Sequence, residues 1–426
     1  MADKEKNIQM NVGILGLALR PPFKKDGNLG CYALAYSFFE VINQIAEKEK
    51  FNIRIVYIQR TTFPNYLKQK VKKILHGKDE MMNYYTKLYS RLSFSRGYCF
   101  AISENLLFSK AVRNCKCVFD FTAGDSFTDI YGEERFYIRT KLKKAIIDRN
   151  IPLILGSQTI GPFNDKDVER FAVEVIEKCK YVYVRDAQSK KYVESISSVK
   201  PVLTTDIAFF LPFEKQIVSG CNLKFGFNPS GLLWNGGYNQ SNQFGLRVNY
   251  QEFCRAVIHE TLNRGWEVHL ILHCYSIEER KGKYSADNDR IAVEVLHDEF
   301  PQTIVSPFFS TPMSAKSYIS GMNLFMGARM HATIAALSAE VPVFAFSYSR
   351  KFEGLFYSLN YPYVIEATKW STQEALNKVK FWTERIDEIR DVVSKCNQLI
   401  KEKNVFLMNS LNGIISSYKN EKINNN

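Results

Sequence analysis

The sequence alternates short runs of β-branched and aromatic residues with longer helical patterns, and it does so in two successive series. This alternation is typical of parallel α/β construction. The candidate strands of the first series are 11–17, 52–58, 117–121, 151–159, 181–186 and 201–209. Those of the second series are 224–231, 266–275, 303–307, 323–329, 341–348 and 362–367. We therefore expect an α/β protein with two doubly wound, Rossmann-like domains.

The length of 426 residues favours the same division, because single cores rarely grow beyond about 250–300 residues. Segment 211–222 has no clear period and is taken as the boundary. We predict domains at 1–212 and 213–400, followed by a C-terminal helix and disordered tail at 401–426. Two such domains in tandem bind their ligand in the cleft that they face, at the carboxyl ends of the strands.

Other classes of protein are disfavoured by motifs that the sequence lacks. The nine cysteines contain no C-x-x-C pair, which argues against a zinc site or disulfide framework and favours a reducing cytoplasm. No apolar run reaches the roughly 18 residues of a membrane span, and the opening residues lack a signal-peptide cleavage site. Neither the Walker motif nor G-x-G-x-x-G is present.

The net charge of +13 is concentrated in residues 51–103, where ten lysines and arginines stand against two acids, with aromatic residues among them. One interpretation is a patch for an anionic membrane surface or a phosphate-linked acceptor. The other is a helix pair with a solvated basic face. Because no nucleic-acid-binding motif accompanies the charge, we do not expect a nucleic-acid partner.

An arginine and a histidine occur where a predicted strand passes into an alanine-rich helix. The strand ends near Met326, and a Gly-Ala turn leads to Arg329 and His331. The N–H groups of a helix start attract anions, arginine binds carboxylate or phosphate at two points, and histidine transfers protons near neutral pH. The segment predicts an anion site with an acid–base group. The alternative is a helix-capping histidine beside a surface arginine.

Three further basic residues follow strands and are predicted to line the same cleft. Arg185 ends the strand 181–186, Lys351 follows 341–348, and His273 lies near the end of 266–275. For Arg185 the alternative is a pair with Asp186 that holds the loop, and for His273 it is a structural role.

Polar residues after other strands are candidates for the acceptor side of the cleft: Asp125, Ser126, Gln158 and Asp289. Each is equally compatible with capping a helix or stabilising a loop. No dense cluster of histidine, cysteine and carboxylate residues predicts a metal, so we expect none.

Several blocks together resemble the polysaccharide pyruvyl transferase family. In the family's order they are NLGCYALAYSFFEV, GDSFTDIYG, GSQTIGPF, VRDAQS, TTDIAF and GARMHATIAALSAEVPVFAFSYSRKFEGL, the last being the most specific. The chain departs from the pattern at 122–125, where many relatives carry a glycine run and this chain has Thr-Ala-Gly-Asp.

The resemblance implies a GT-B-like pair of domains that transfers the enolpyruvyl unit of phosphoenolpyruvate to sugar hydroxyls. The product would be a pyruvate ketal, with release of phosphate. Arg329 and His331 would be catalytic, with His331 as the acid and base. Arg185, Lys351 and His273 would bind the donor together with Arg329, and Asn28 of the first block would join the acceptor side.

The expected partners are phosphoenolpyruvate, as a co-substrate without a further cofactor, and a glycan or lipid-linked sugar of a cell-surface or exopolysaccharide. We expect the protein in the cytoplasm, either free or peripheral at the inner face of the membrane. Two other functions stay open. One is a GT-B glycosyltransferase with a nucleotide-sugar donor, for which Asp287 or Asp289 would contact the ribose. The other is a non-catalytic protein that binds anionic glycans through 51–103.

Overall fold

The computed structural model describes residues 9–19, 27–62, 64–67, 79–102, 105–217, 222–279 and 283–420. Numbered along the chain, its strands are β1 (Gln9–Leu15), β2 (Gly27–Asn28), β3 (Asn52–Thr61), β4 (Leu92–Ile102), β5 (Asn105–Phe108), β6 (Cys117–Asp120), β7 (Leu153–Gln158), β8 (Tyr181–Val184), β9 (Val202–Leu203), β10 (Lys224–Asn228), β11 (Glu267–Leu270), β12 (Cys274–Tyr275), β13 (Ile304–Val305), β14 (Leu324–Gly327), β15 (Val343–Ser347) and β16 (Val364–Glu366).

α-Helices occur at Leu29–Lys48, Glu80–Leu88, Lys110–Arg113, Glu133–Ile147, Lys166–Lys178, Ala187–Ile196, Gly231–Trp234, Tyr250–Asn263, Arg290–Glu299, Pro312–Ser320, Met330–Ser338, Arg350–Ser358, Thr372–Thr383 and Ile386–Asn420. Short 3-10 helices occur at Thr122–Gly124 and Ile207–Phe210. Polar side chains start several helices, as at Asp165, which accepts the N–H groups of Asp167 and Val168.

The described chain forms two compact units. The first unit contains residues 9–19, Phe38–Asp206 and 403–420, and the second contains 27–37 and 207–402. The sequence placed the boundary after residue 212 and assigned the N-terminal part of the chain to one domain. The structure instead counts the start of the helix Leu29–Lys48 with the second unit, which has consequences for the candidate site.

The first unit is built on an eight-stranded sheet in the order β5-β4-β3-β1-β6-β7-β8-β9. Its neighbouring strands are parallel, except that β4 and β5 are antiparallel. Strands β3 to β5 lie on one side of β1 in the sheet, and strands β6 to β9 lie on the other, so the unit is doubly wound. Parallel strands covered on both faces are apolar throughout, and Val12 and Ile14 of β1 are accordingly fully buried.

The second unit is built on a parallel six-stranded sheet in the order β13-β11-β10-β14-β15-β16. The strand order reverses between β10 and β14, because β11 and β13 lie on one side of β10 and the later strands on the other. In open α/β sheets, ligands bind at the carboxyl ends of the strands that flank such a reversal. Asn228 ends β10 and Gly327 ends β14, so these residues mark that edge.

A two-stranded antiparallel ladder joins β2 to β12 within the second unit. Gly27 pairs with Tyr275 and Asn28 with Cys274. The predicted strand 266–275 is therefore two strands, since β11 ends at Leu270 and the chain then turns to meet β2.

The basic segment 51–103 differs from the helix pair that was one of its two interpretations. Its described part contains the long parallel pair of β3 and β4, with the helix Glu80–Leu88 between them. Many of its aromatic residues are structural: Tyr85, Tyr89 and Phe94 are buried and pack around Phe39. Five of its lysines lie outside the described residues: Lys68, Lys70, Lys72, Lys73 and Lys78.

After β16 the chain forms two helices, Thr372–Thr383 and Ile386–Asn420. The second of these helices continues to Asn420, and the rest of the predicted disordered tail, 421–426, lies outside the described residues. Within the described part of the chain, no helix combines the length and apolar character that crossing a bilayer requires.

Candidate functional site at the carboxyl edge of the second sheet

Arg329 lies where β14 passes into the helix Met330–Ser338, at the edge that the reversal of strand order marks. Its backbone N–H donates to Oδ1 of Asn228, 3.1 Å away, which ties the turn to the end of β10. The helix that follows is almost wholly buried, because its alanines and leucine pack into the unit. Arg329 itself is only 8% exposed, so its charge requires internal partners.

Two aspartates supply those partners. Nε and Nη2 of Arg329 donate to Oδ1 of Asp289 over 3.0 and 2.6 Å. Nη1 donates to Oδ1 of Asp287 over 2.5 Å, and Nη2 also donates to the backbone carbonyl oxygen of Asp287 over 2.6 Å. Burial opposes the charge of Arg329, but Asp289, Cys274 and Asp287 outweigh it and raise the pKa of the guanidinium well above its ordinary value.

Asp289 is fully buried and organises the surrounding backbone. Its Oδ1 also accepts the N–H of Gly231, and its Oδ2 accepts the N–H groups of His273 and Cys274. A place for Asp289 on the acceptor side of a cleft stays a prediction. Its carboxylate is committed to the interior because it neutralises Arg329.

His273 and His331 lie beside Arg329. His273 is buried, and burial together with the nearby charges of His331 and Arg329 lowers its pKa to about 3. Its Nδ1 has no hydrogen-bond partner among the residues that the structure describes. His331 is half-buried in the first turn of the helix Met330–Ser338. The edge therefore combines a permanent cation, a neutral imidazole and the imidazole of a half-buried histidine.

The start of the helix Leu29–Lys48 completes this cluster. Oδ1 of Asn28 accepts the N–H of Gly30 over 2.9 Å, and the N–H of Leu29 donates to the carbonyl oxygen of His273. A Cβ atom at Gly30 would lie 2.8 Å from Cβ and Cγ of His331 and would also meet its Nδ1. The backbone of Gly30 thus packs directly against the imidazole, which explains the glycine.

Lys351 emerges at the same edge, because β15 is parallel to β14 and adjacent to it. It lies in the first turn of the helix Arg350–Ser358, with Nζ 5.0 Å from the ring centroid of Tyr348. The structure therefore brings together, in the second unit, Asn28, His273, Asp289, Arg329, His331 and the strand end that carries Lys351.

Arg185 belongs to the first unit and follows β8. It is 1% exposed, with Nη1 donating to Asp206 over 2.6 Å and Nε to Thr159 over 2.9 Å. The alternative pair with Asp186 is not formed. Asp186 instead caps the helix Ala187–Ile196 by accepting the N–H of Ser189. A role of Arg185 in donor binding stays a prediction.

The other acceptor-side candidates also lie in the first unit. Asp125 is half-buried and accepts the hydroxyl of Tyr131, whereas Ser126 is buried. Gln158 is fully buried at the end of β7, and an acceptor-side role for it stays a prediction. Its Nε2 donates to the carbonyl oxygen of Asp120.

Sequence reasoning missed a buried ion pair at the end of β6. Nζ of Lys143 lies 3.4 Å from Oδ2 of Asp120, and both side chains are almost wholly buried. The hydroxyl of Thr122 donates to the same carboxylate oxygen. Burial lowers the pKa of Lys143, and Asp120 opposes that effect. The sequence contains one indication of this pair, because Asp120 ends a strand that is otherwise apolar.

Cavity volume does not locate the candidate site. A groove of about 660 Å³ in the second unit is lined by residues such as Phe213, Phe309 and Tyr318, and none of the predicted site residues lines it. Among the described residues, no group of histidine, cysteine and carboxylate side chains is placed to hold a metal ion.

The fold is similar to that of enzymes that act on nucleotide sugars. UDP-GlcNAc 2-epimerase from Neisseria meningitidis, solved bound to UDP-GlcNAc, aligns with 95% of this chain and 99% of its own at 10% identity and a TM-score of 0.50. A UDP-glucosyltransferase from Polygonum tinctorium aligns with 96% of this chain and 99% of its own at 10% identity and a TM-score of 0.51. These similarities show the GT-B fold.

Comparison of the sequence with family models identifies the family of the chain. No curated protein matches the chain. The model of the family described as polysaccharide pyruvyl transferase matches residues 28–350, which include Asn28, Arg185, His273, Arg329 and His331. Because this match spans most of the sequence, the chain belongs to the polysaccharide pyruvyl transferase family.

Proposed function

We propose that the protein transfers the enolpyruvyl group of phosphoenolpyruvate to two hydroxyls of a sugar, closing a pyruvate ketal and releasing phosphate. The observation that carries this proposal is the grouping of Arg329, His331 and His273 at one edge of the second sheet, in a chain of this family. The donor carries both a carboxylate and a phosphate, which suit a buried guanidinium. The proposed reaction needs no prosthetic group, because the donor itself supplies the transferred carbons.

In the proposed reaction, His331 gives a proton to the methylene carbon of the donor, and a sugar hydroxyl attacks the adjacent carbon. The proton of that hydroxyl returns to His331. Phosphate then leaves with the electron pair of its C–O bond. A second hydroxyl attacks the same carbon, and its proton ends on the phosphate. One donor and one diol thus give one ketal and one hydrogen phosphate, without oxidation or reduction.

The neighbourhood of His331 supports an acid–base role. Because burial lowers the pKa of His273 to about 3, this neighbour is neutral near neutral pH and adds no second positive charge beside His331. His331 is half-buried, and Gly30 constrains the position of its ring. Arg329 would stabilise the negative charge of the donor.

We infer an acceptor of the glycan or lipid-linked sugar class from the family assignment. Asp125 and Ser126 are proposed acceptor contacts, and Lys351 and Arg185 are proposed donor contacts. A cytoplasmic location, with peripheral attachment to the membrane, is proposed on the exposed basic residues Arg54 and Arg60 of β3.

A second candidate is favoured by the fold comparison, since both structures described above are of enzymes named for UDP-linked substrates. In that case the donor would be a nucleotide sugar. The two candidates differ in the leaving group, which is phosphate in one and a nucleotide in the other.

The test compares donors directly. Purified protein is incubated with phosphoenolpyruvate or with UDP-sugars, each with and without a panel of glycan and lipid-linked acceptors. Phosphate release that requires both phosphoenolpyruvate and an acceptor supports the proposal. Nucleotide release from a UDP-sugar, without phosphate release from phosphoenolpyruvate, would replace it by the second candidate.

The same assay tests the role of His331. His331→Ala should lower turnover by about 100-fold or more, the usual size of a lost acid–base group. Its dissociation constant for phosphoenolpyruvate should stay within about threefold of wild type, because Arg329 is intact. His259→Ala removes an exposed histidine and serves as the control. Equal turnover in the two variants would reject the assignment of His331.

A further inference from the structure

The guanidinium of Arg329 is already occupied by two aspartates. Asp289 receives Nε and Nη2 on one oxygen, and Asp287 receives Nη1 on its carboxylate and Nη2 on its backbone carbonyl. With these partners in place, Nε, Nη1 and Nη2 of Arg329 each donate to an aspartate already. One partner must therefore leave when an anion binds to Arg329.

Asp289 is held too firmly to be that partner. It is fully buried, and the N–H groups of Gly231, His273 and Cys274 also donate to it. Its Oδ2 in addition accepts Nδ2 of Asn228. Its removal would leave several buried donors without an acceptor, which is unfavourable.

Asp287 is held weakly by comparison. Its side chain is 32% exposed, whereas that of Asp289 is 0% exposed. Within the described part of the chain, its second oxygen is contacted by the thiol of Cys274 at 3.4 Å, and a thiol is a weak donor. The carboxylate of Asp287 can therefore turn to solvent, which releases Nη1 of Arg329 while Nη2 stays on Asp289 and on the backbone carbonyl of Asp287.

We propose that Asp287 occupies the place on Arg329 that the carboxylate of the donor takes on binding, while Asp289 stays as the positioning residue of that arginine. The exchange replaces one carboxylate by another of the same planar shape, so the number of carboxylates that contact Arg329 stays the same. It also makes Asp287 a specificity-determining residue, because a ligand without an anionic group cannot displace it. This inference rests on the proposed function and identifies the group of the donor that Arg329 binds.

Removing the carboxylate of Asp287, which competes for Arg329, should strengthen the binding of the donor. Asp287→Asn should lower the dissociation constants for phosphoenolpyruvate and for pyruvate about three- to tenfold, measured by isothermal titration calorimetry. The reason is that an amide competes less well than a carboxylate for a guanidinium. Glu278→Gln removes one charge from an exposed side chain of the same segment and should leave both constants unchanged.

Binding of inorganic phosphate distinguishes displacement of Asp287 by a carboxylate from the general effect of removing a negative charge near the site. Removal of any nearby negative charge would favour a doubly charged phosphate at least as much as a singly charged pyruvate. A gain for phosphate without a gain for pyruvate would overturn the proposal. An unchanged or higher dissociation constant for pyruvate in Asp287→Asn would also overturn it, because Asp287 would then support Arg329 rather than compete for it.

Melting temperatures and turnover show whether a change in pyruvate binding comes from altered folding, and whether the proposed function holds independently. Asp287→Asn should melt within a few degrees of wild type, since the side chain is partly exposed. Asp289→Asn should melt lower and bind pyruvate more weakly, the opposite direction to Asp287→Asn. If wild type releases no phosphate from phosphoenolpyruvate but Asp287→Asn still tightens pyruvate binding, the proposed function fails alone. If turnover is found without tightening, the inference fails alone.

Discussion

At the scale of single residues, Arg185 and Arg329 show how the chain accommodates charge in its interior. Arg329 pairs with Asp289, and Arg185 pairs with Asp206. Removing one partner of a buried pair leaves an unpaired charge and costs about 3–5 kcal/mol. Substitution of either arginine therefore affects stability as well as ligand binding. Variants that leave the pairs intact, such as His331→Ala, give clearer information about chemistry.

His273 links the site to the pH dependence of stability. In the unfolded chain a histidine has a pKa of about 6.5, whereas burial lowers the pKa of His273 to about 3. Between these values the unfolded chain binds a proton that the folded protein does not. The free energy of unfolding therefore falls as the pH decreases through this window, and the full contribution is present above about pH 6.5.

We predict that His273→Asn reduces this dependence. Between pH 7.5 and pH 5, the free energy of unfolding of the wild type should fall by about 2 kcal/mol more than that of the variant. Urea denaturation at the two pH values measures the difference. His259→Asn, at an exposed position, should behave like wild type. The same pH dependence in His273→Asn and wild type would show that His273 is not held neutral.

At the scale of elements, the site depends on contact between two helix starts. The first turn of Leu29–Lys48 places Gly30 against His331, which lies in the first turn of Met330–Ser338. The ladder between β2 and β12 holds the first of these turns in place. A residue near the N-terminus thereby fixes the ring of a histidine some three hundred positions later.

Gly30→Ala should disturb that contact. The added Cβ would meet Cβ and Cγ of His331, so the imidazole must move. We expect turnover to fall by about tenfold to 100-fold, because small misplacements of a catalytic group have effects of that size. The dissociation constant for phosphoenolpyruvate should change little. Gly413→Ala is the matched control, since a Cβ there meets nothing within 4 Å. Wild-type turnover in Gly30→Ala would contradict the packing argument.

The sequence predicted the elements of both sheets well where strands are continuously apolar, as in β1, β6 and β14. It failed where tertiary contacts decide the structure. The run 266–275 reads as one strand, yet the ladder with β2 divides it. Thr122 and Ala123 adopt φ values of 41° and 54°, a left-handed turn that their side chains disfavour. Local propensity gives no sign of that turn.

At the scale of the whole molecule, the sequence located most strand ends to within a few residues but could not identify the partners of each residue. It predicted Arg329, His331 and His273 as a group, and the structure places them together in the second unit. It did not predict that Asn28 belongs to the same unit, because the chain leaves and re-enters the units within helices. Nor could it show that Asp287 and Asp289 pair with Arg329, since the pairing spans some forty positions.

The proposed reaction moves the three carbons of phosphoenolpyruvate onto a sugar and protonates their methylene carbon. Mass spectrometry of the acceptor after reaction in D₂O distinguishes it from the alternatives. We expect an acceptor that has gained a pyruvate ketal whose methyl group carries one deuterium from the solvent. An acceptor that has gained a sugar, or an enolpyruvyl ether with its methylene group intact, would rule the proposed reaction out.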